Sequence, residues 1–174
     1  HSAIESGIAF ITEDRKAQGL VLGMNVRENT TLAHLDRFAP HLFVERKAEE
    51  AIANKEIEEL RIRTPNAEQL VRNLSGGNQQ KVVLAKWLIG DARVYLFDEP
   101  TRGIDVGAKA EIYGLMLDLL RRGAGIVMVS SEMPEVLGMS HRILVVRDGK
   151  IGAEFARAEA TADKVLAVAA GVAA

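Results

Sequence analysis

The chain alternates short apolar runs with longer stretches in which apolar residues recur every three or four positions. These two periods separate strands from helices. GIAFI (7–11) is a continuous apolar run that stops at the polar cluster TEDRK (12–16) and predicts a strand. QGLVLGM, which follows, is punctuated by glycine and reads as a loop. Asn25 and Glu28 have the spacing of a capping box and open a helix. Residues 45–63 carry both signs of charge around a narrow apolar stripe of Ala53, Ile57 and Leu60, ending at Thr64–Pro65–Asn66. That pattern predicts a solvated amphipathic helix. After LSGG (74–77), Val83, Leu84, Trp87 and Leu88 recur at helical spacing up to Gly90–Asp91, with Trp87 expected in the core.

RVYLF (93–97) is continuous, apolar and rich in aromatic and β-branched residues, so it predicts a strand buried on both faces. Asp105 caps a helix carrying Ala108, Ile112, Leu115 and Leu119, which Gly123 and Gly125 end. IVMVS (126–130) predicts a second buried strand. A short EMPEVLGM helix follows, then strands RILVV (142–146) and KIGAEF (150–155) joined as an antiparallel hairpin by Arg147–Asp148–Gly149. Residues 92–174 thus alternate β and α, whereas 24–90 are almost wholly helical: an α/β domain with a helical insertion.

Composition narrows the possibilities. The 174 residues are 48% hydrophobic and 26% charged, with a net charge of −2, which suits one globular domain. Near-neutral charge gives no electrostatic case for nucleic acid or an anionic membrane surface. Absence of cysteine removes disulfides and thiolate metal sites and is compatible with the cytosol. The longest apolar run, VLAVAAGVAA, is far shorter than a bilayer span, so a membrane role is expected to come through a partner. The abrupt start HSAIESGIAF, without an initiator Met, reads as a piece of something longer.

Two motifs carry candidate chemistry. LSGGNQQK places glycines where a helix begins, either to free the helix entry behind a serine cap or to let a phosphate reach the backbone. In RVYLFDEPTRGID an apolar strand delivers Asp98 and Glu99 to its carboxyl end, where open sheets bind ligands. Adjacent acids there suit Mg²⁺ and activation of a water, although from the dipeptide alone a solvated acidic loop is the favoured reading. The two motifs occur in this order, separated by one helix, and the pair is far more specific than either member. No GxxxxGK[ST] loop is present in the chain.

LSGGNQQK followed by LFDEPTRGID resembles the signature motif, Walker B strand and D-loop of an ABC-transporter ATPase domain. The resemblance runs the length of the chain. TEDRKAQGLVLGMNVREN stands in the place of the Q-loop, and GIVMVSSEMPEVLGMSHRI in that of the switch loop. NQQK, PTRGIDVGAK and SSEMPE are similar to the second ATPase half of bacterial monosaccharide importers of the ribose, galactose and xylose type.

The resemblance implies a RecA-like P-loop NTPase core (1–23 and 92–174) with an inserted helical signature subdomain (24–91). It lacks the phosphate-loop strand and helix. It further implies ATP and Mg²⁺ as cofactors, with Ser75, Gly76, Gly77 and Gln79 meeting the γ-phosphate of an ATP held in trans. Asp98 and Glu13 would serve the metal, Glu99 would be the general base, and Asp105 would cross the D-loop interface. Ser131 occupies the switch position, where the family usually has His. Implied partners are another ATPase half packed head to tail, transmembrane permease subunits and, indirectly, a periplasmic sugar-binding protein, with no nucleic acid. The implied location is peripheral, on the cytoplasmic face of the inner membrane, and the 174 residues alone are expected not to hydrolyse ATP. Two alternatives stay open: a half-domain that only completes a partner's site, and an ABC ATPase unrelated to transport. Histidines 1, 34, 41 and 141 are assigned to packing or surface, and Arg102 is a candidate interface or phosphate contact.

Overall fold

The computed structural model describes residues 2–40 and 43–171. His1, His41 and the last three residues of the C-terminal apolar run lie outside them. The chain divides into two compact units, residues 1–127 and 128–174. No helix among the described residues is long and apolar enough to cross a membrane.

In the first unit, α1 (Ser2–Glu5) leads into β1 (Ile8–Ile11), and β2 (Val94–Asp98) pairs with β1 in parallel, Ile8 opposite Val94 and Ile11 opposite Phe97. Strand order is β1-β2-β3, with β3 at Gly125–Val129. This register brings Ala9, Ile11, Tyr95 and Phe97 onto one buried face. The sequence expectation of two buried faces fails here. Burial along β2 alternates, and Phe10 on the neighbouring strand is 44% exposed. β3 departs further, with Val127 55% exposed. A continuous apolar run makes a strand fit to be covered on both sides, but coverage needs a second layer.

Between β1 and β2 the chain is helical, as expected. A π turn at Arg15–Gly19 replaces part of the anticipated loop, capped by Asp14, whose Oδ1 accepts the backbone N–H groups of Lys16 and Ala17. α2 (Val26–Thr31) carries the expected capping box of Asn25 and Glu28. α3 (Arg46–Glu59) is shorter than the charged run that announces it. α4 spans Gly76–Leu88 and packs against α2 and β1, burying Val82, Val83, Leu84 and Ala85. Trp87 is only half-buried and meets His34 edge-on at 6.4 Å. α5 (Val106–Arg121) buries Ile112, Met116 and Leu119, with Leu115 turned partly outward.

Polar groups tie this unit together. The buried face of α3 includes Glu49 and Glu56 beside Ala53 and Leu60, whereas Ile57 is half-buried. Arg27 of α2, itself buried, forms a close ion pair with Glu49 and a second with Glu68 at 2.8 Å. Thr31 Oγ1 donates to the other Glu49 oxygen at 2.6 Å. Lys86 Nζ reaches from α4 to the carbonyl of Gly19 at 2.6 Å, and burial holds its ammonium below the usual lysine range. The Arg27 hydrogen bond, with the Arg27 and Arg46 charges, lowers the Glu68 pKa below its ordinary 4.5. A depressed carboxylate pKa stabilises the fold above the unfolded value and is lost on acidification through the folded one. Thermal stability is therefore expected to fall as pH drops below about 4.5, and less steeply in a Glu68→Gln variant, as followed by melting curves at each pH.

In the second unit, α6 (Met133–Met139) precedes the hairpin of β4 (Arg142–Arg147) and β5 (Lys150–Ala156), then α7 (Ala162–Ala170). Asp148 and Gly149 both have positive φ (49° and 73°), as a two-residue turn between right-twisted strands requires. Ile143, Val145, Ala160 and Val165 form the core, with Met133, Leu137 and Phe155 packed around it. His141 is exposed, whereas His34 in the first unit is buried.

Candidate functional site

Asp98 ends β2 half-buried, and the next residue, Glu99, takes φ +47°. A side chain in the left-handed region is strained unless its surroundings impose it, and such positions gather at functional sites. The chain then folds back on itself, with Arg102 N donating to the Glu99 carbonyl at 3.1 Å. Thr101 is fully buried beneath this turn. Asp105 closes the segment as the N-cap of α5, its Oδ1 accepting from Ala108 N at 2.9 Å.

The turn is riveted to the residues after β1. Arg15 donates to the carbonyls of Arg102 (2.9 Å) and Gly103 (3.3 Å). Arg102 in turn makes a close ion pair with Glu13. Glu13 is thus engaged by a cation of the turn, and Arg102 belongs to an internal contact. Among the described residues no group of three or more His, Cys, Asp or Glu side chains could hold a metal.

Ser75 is the N-cap of α4, yet its side chain makes no capping bond, so it does not play the structural part that a serine before glycine suggests. Both glycines have internal reasons to lack a side chain. A Cβ at Gly76 would lie 2.7 Å from Arg15 Nη2, and one at Gly77 2.6 Å from Ala108 Cβ. The close approach legible in the sequence is, in this structure, made by Arg15 and by the first turn of α5. α4 and α5 are further joined by Lys81, buried, whose ammonium bonds to Glu111 at 2.7 Å and to the Arg61 carbonyl at 2.9 Å.

A hollow of about 270 Å³ opens at this junction, lined by Ser75, Gly77, Asn78, Asp105 and Arg63 among others. Ser75, Gly77 and Asp105, all singled out in the sequence, are therefore brought together. Gln79 is not. It is 3% exposed and turned inward, its Nε2 donating to the Val71 carbonyl at 3.1 Å. The expectation that it accompanies the signature serine is corrected: one position on, about 100° around the helix, the side chain faces the core. Asn78 takes its place in the hollow, and the spacing from N-cap to N3 was the signal that could have found it. Ser131 lies in the second unit, exposed, beside Ser130, whose hydroxyl makes a close hydrogen bond to Glu135.

At the start of the 13-residue helix α4 stand a serine hydroxyl uncommitted to capping and two residues without side chains, beside the carboxylates of Asp105 and Glu111 in the lining of the hollow. The fold is that of ATP-binding cassettes. A dimeric cassette in a post-hydrolysis state bound to ADP and Pi superposes with a TM-score of 0.70 at 21% identity, over 86% of this chain and 62% of that one. A cassette of an ABC transporter in its ADP conformation does so with the same score, over 97% and 66%.

Residues 1–102 match the family model described as ABC transporter, and the chain belongs to that family. Over 169 residues it is 52% identical to a putative ribose/galactose/methyl galactoside import ATP-binding protein of Rhizobium etli. It is 53% identical to the xylose import ATP-binding protein of Thermoanaerobacter pseudethanolicus and 49% to the ribose import ATP-binding protein of Bacillus subtilis. Each match covers 97% of this chain and 32–34% of the relative, so the chain spans about a third of the length of these proteins.

Proposed function

We propose that this chain is the signature-bearing part of an ATP-binding protein that energises import of a monosaccharide of the ribose, xylose or galactose kind. The observation that carries the reading is the hollow where Ser75, Gly77 and Asp105 converge at the start of α4. Ser75 and the backbone N–H groups of Gly76 and Gly77 donate to the γ-phosphate of an ATP held by a second ATPase half, and the helix start adds its positive potential. Asp98 serves Mg²⁺, with Glu13 at the Q-loop position. Glu99 takes the proton of the attacking water, Asp105 lies at the interface between halves, and Ser131 holds the switch position. ATP supplies the phosphoryl group whose loss separates the two halves. Permease subunits and a sugar-binding protein complete the assembly, with this chain peripheral on the cytoplasmic side. Names of relatives 49–53% identical to this chain support the sugar class.

Replacing Ser75 with Ala tests this, because the hydroxyl caps no backbone group of the helix and its loss removes only the bond from the Asn78 amide. In the complete ATP-binding protein, kcat/KM for ATP hydrolysis is expected to fall about tenfold to a hundredfold, the value of a hydrogen bond to a charged group. Unchanged kinetics would defeat the reading. A second reading, a half-domain that completes a partner's site without turnover of its own, is favoured by Ser131 at the switch position.

A further inference from the structure

Among the described residues, the Ser75 hydroxyl is bonded to a side chain rather than to the backbone of its own helix. Asn78, three residues on, donates from Nδ2 to Ser75 Oγ at 2.9 Å. Its Oδ1 accepts the backbone N–H of Arg63 at 2.8 Å. The second bond fixes the sense of the first. A backbone N–H can only donate, so the amide oxygen must face Arg63 and the amide nitrogen must face Ser75. A serine oxygen that accepts from an amide retains its own proton for another acceptor. In the ordinary capping arrangement the same lone pairs would be taken by the backbone N–H groups of the first turn, and here they are not.

The consequences meet in one place. Ser75 and Asn78 line the hollow, and so does Arg63, the residue whose backbone Asn78 holds. Arg63 sits on the segment between α3 and α4, so the Asn78 side chain fixes both the serine and the approach of a guanidinium-bearing segment to it. We propose that Asn78 is a positioning residue for Ser75: bonded at both ends, it turns the serine proton toward a phosphoryl oxygen in the hollow, with the Arg63 guanidinium as the accompanying cation. This rests on the reading of Ser75 as a phosphate ligand.

The test is a double-mutant cycle in the complete ATP-binding protein, with ATP hydrolysis and thermal midpoint measured for Asn78→Ala, Ser75→Ala and the pair. If Asn78 acts through Ser75, Asn78→Ala raises the ATP concentration for half-maximal turnover on the order of tenfold, and the pair is no worse than Ser75→Ala alone. Asn78→Asp guards against a fold defect. It keeps an acceptor for Arg63 N–H but cannot donate to the serine, and is expected to weaken ATP use without lowering the midpoint. Effects that add in the pair, or an Asn78→Ala protein with full ATP affinity beside a defective Ser75→Ala protein, overturn the positioning role and leave the phosphate reading intact. A Ser75→Ala protein with normal kinetics removes both.

Discussion

Glu99→Gln is expected to lower ATP turnover by about 10²- to 10⁴-fold, the contribution of a positioned general base, with ATP binding retained. Glutamine matches glutamate in size and can occupy the same left-handed backbone at φ +47°, so the change removes the proton acceptor while keeping the shape of the side chain. The argument rests on where the carboxylate is held. β2 ends in Asp98, and the turn that follows is anchored by the Arg102 N–H on the Glu99 carbonyl and by the two bonds from Arg15. Residues held in a strained conformation gather at functional sites. The measurement is steady-state hydrolysis beside nucleotide binding in the complete protein. Turnover that survives at more than half the parental rate would assign hydrolysis elsewhere and favour the half-domain reading.

A second large effect is expected far from that turn. Glu49→Ala leaves Arg27 and Thr31 buried without their shared partner, and removing one member of a buried ion pair costs about 3–5 kcal/mol. Side chains of both ions are almost wholly enclosed, 8% and 3% exposed, so solvent does little to soften the loss. With a urea dependence of about 1–3 kcal/mol per molar, the unfolding midpoint of the chain should drop by roughly 2 M. Replacing Arg27 and Glu49 together by apolar residues of similar volume should recover much of this, because the desolvation penalty disappears with the charges. A Glu49→Ala protein with an unshifted midpoint would mean that water reaches Arg27 after all.

What the sequence made legible and what it hid divide along physical lines. Elements set by local chemistry were readable: the Asn25–Glu28 capping box, the Asp105 cap, the Asp148–Gly149 turn and the helix beginning at LSGG all stand where spacing placed them. Burial was less readable. Glu49 and Glu56 look like solvated charge on a charged helix, yet both are enclosed, and the partner of Glu49, Arg27, lies 22 residues away where no local pattern announces it. β3 erred the other way, since its apolar run marks capacity for burial and Val127 remains exposed. At the site, Ser75, Gly77 and Asp105 were found by motif. Arg15 was not, because its role depends on two carbonyls 87 and 88 residues away. Asn78 and Gln79 differ by one step of the helix, which a linear motif does not register.

The contact between Gly77 and Ala108 also bears on how such a sequence can change over generations. A methyl at 77 would stand 2.6 Å from the methyl at 108, well inside what two carbon atoms tolerate. Alanine at 77 therefore becomes acceptable only after alanine at 108 has been reduced to glycine, a step that itself costs about 0.5–1 kcal/mol. Taken in the other order, the path passes through a protein whose signature helix has been pushed off α5. The two positions share one methyl's worth of space, and descent can move it between them only by emptying it first.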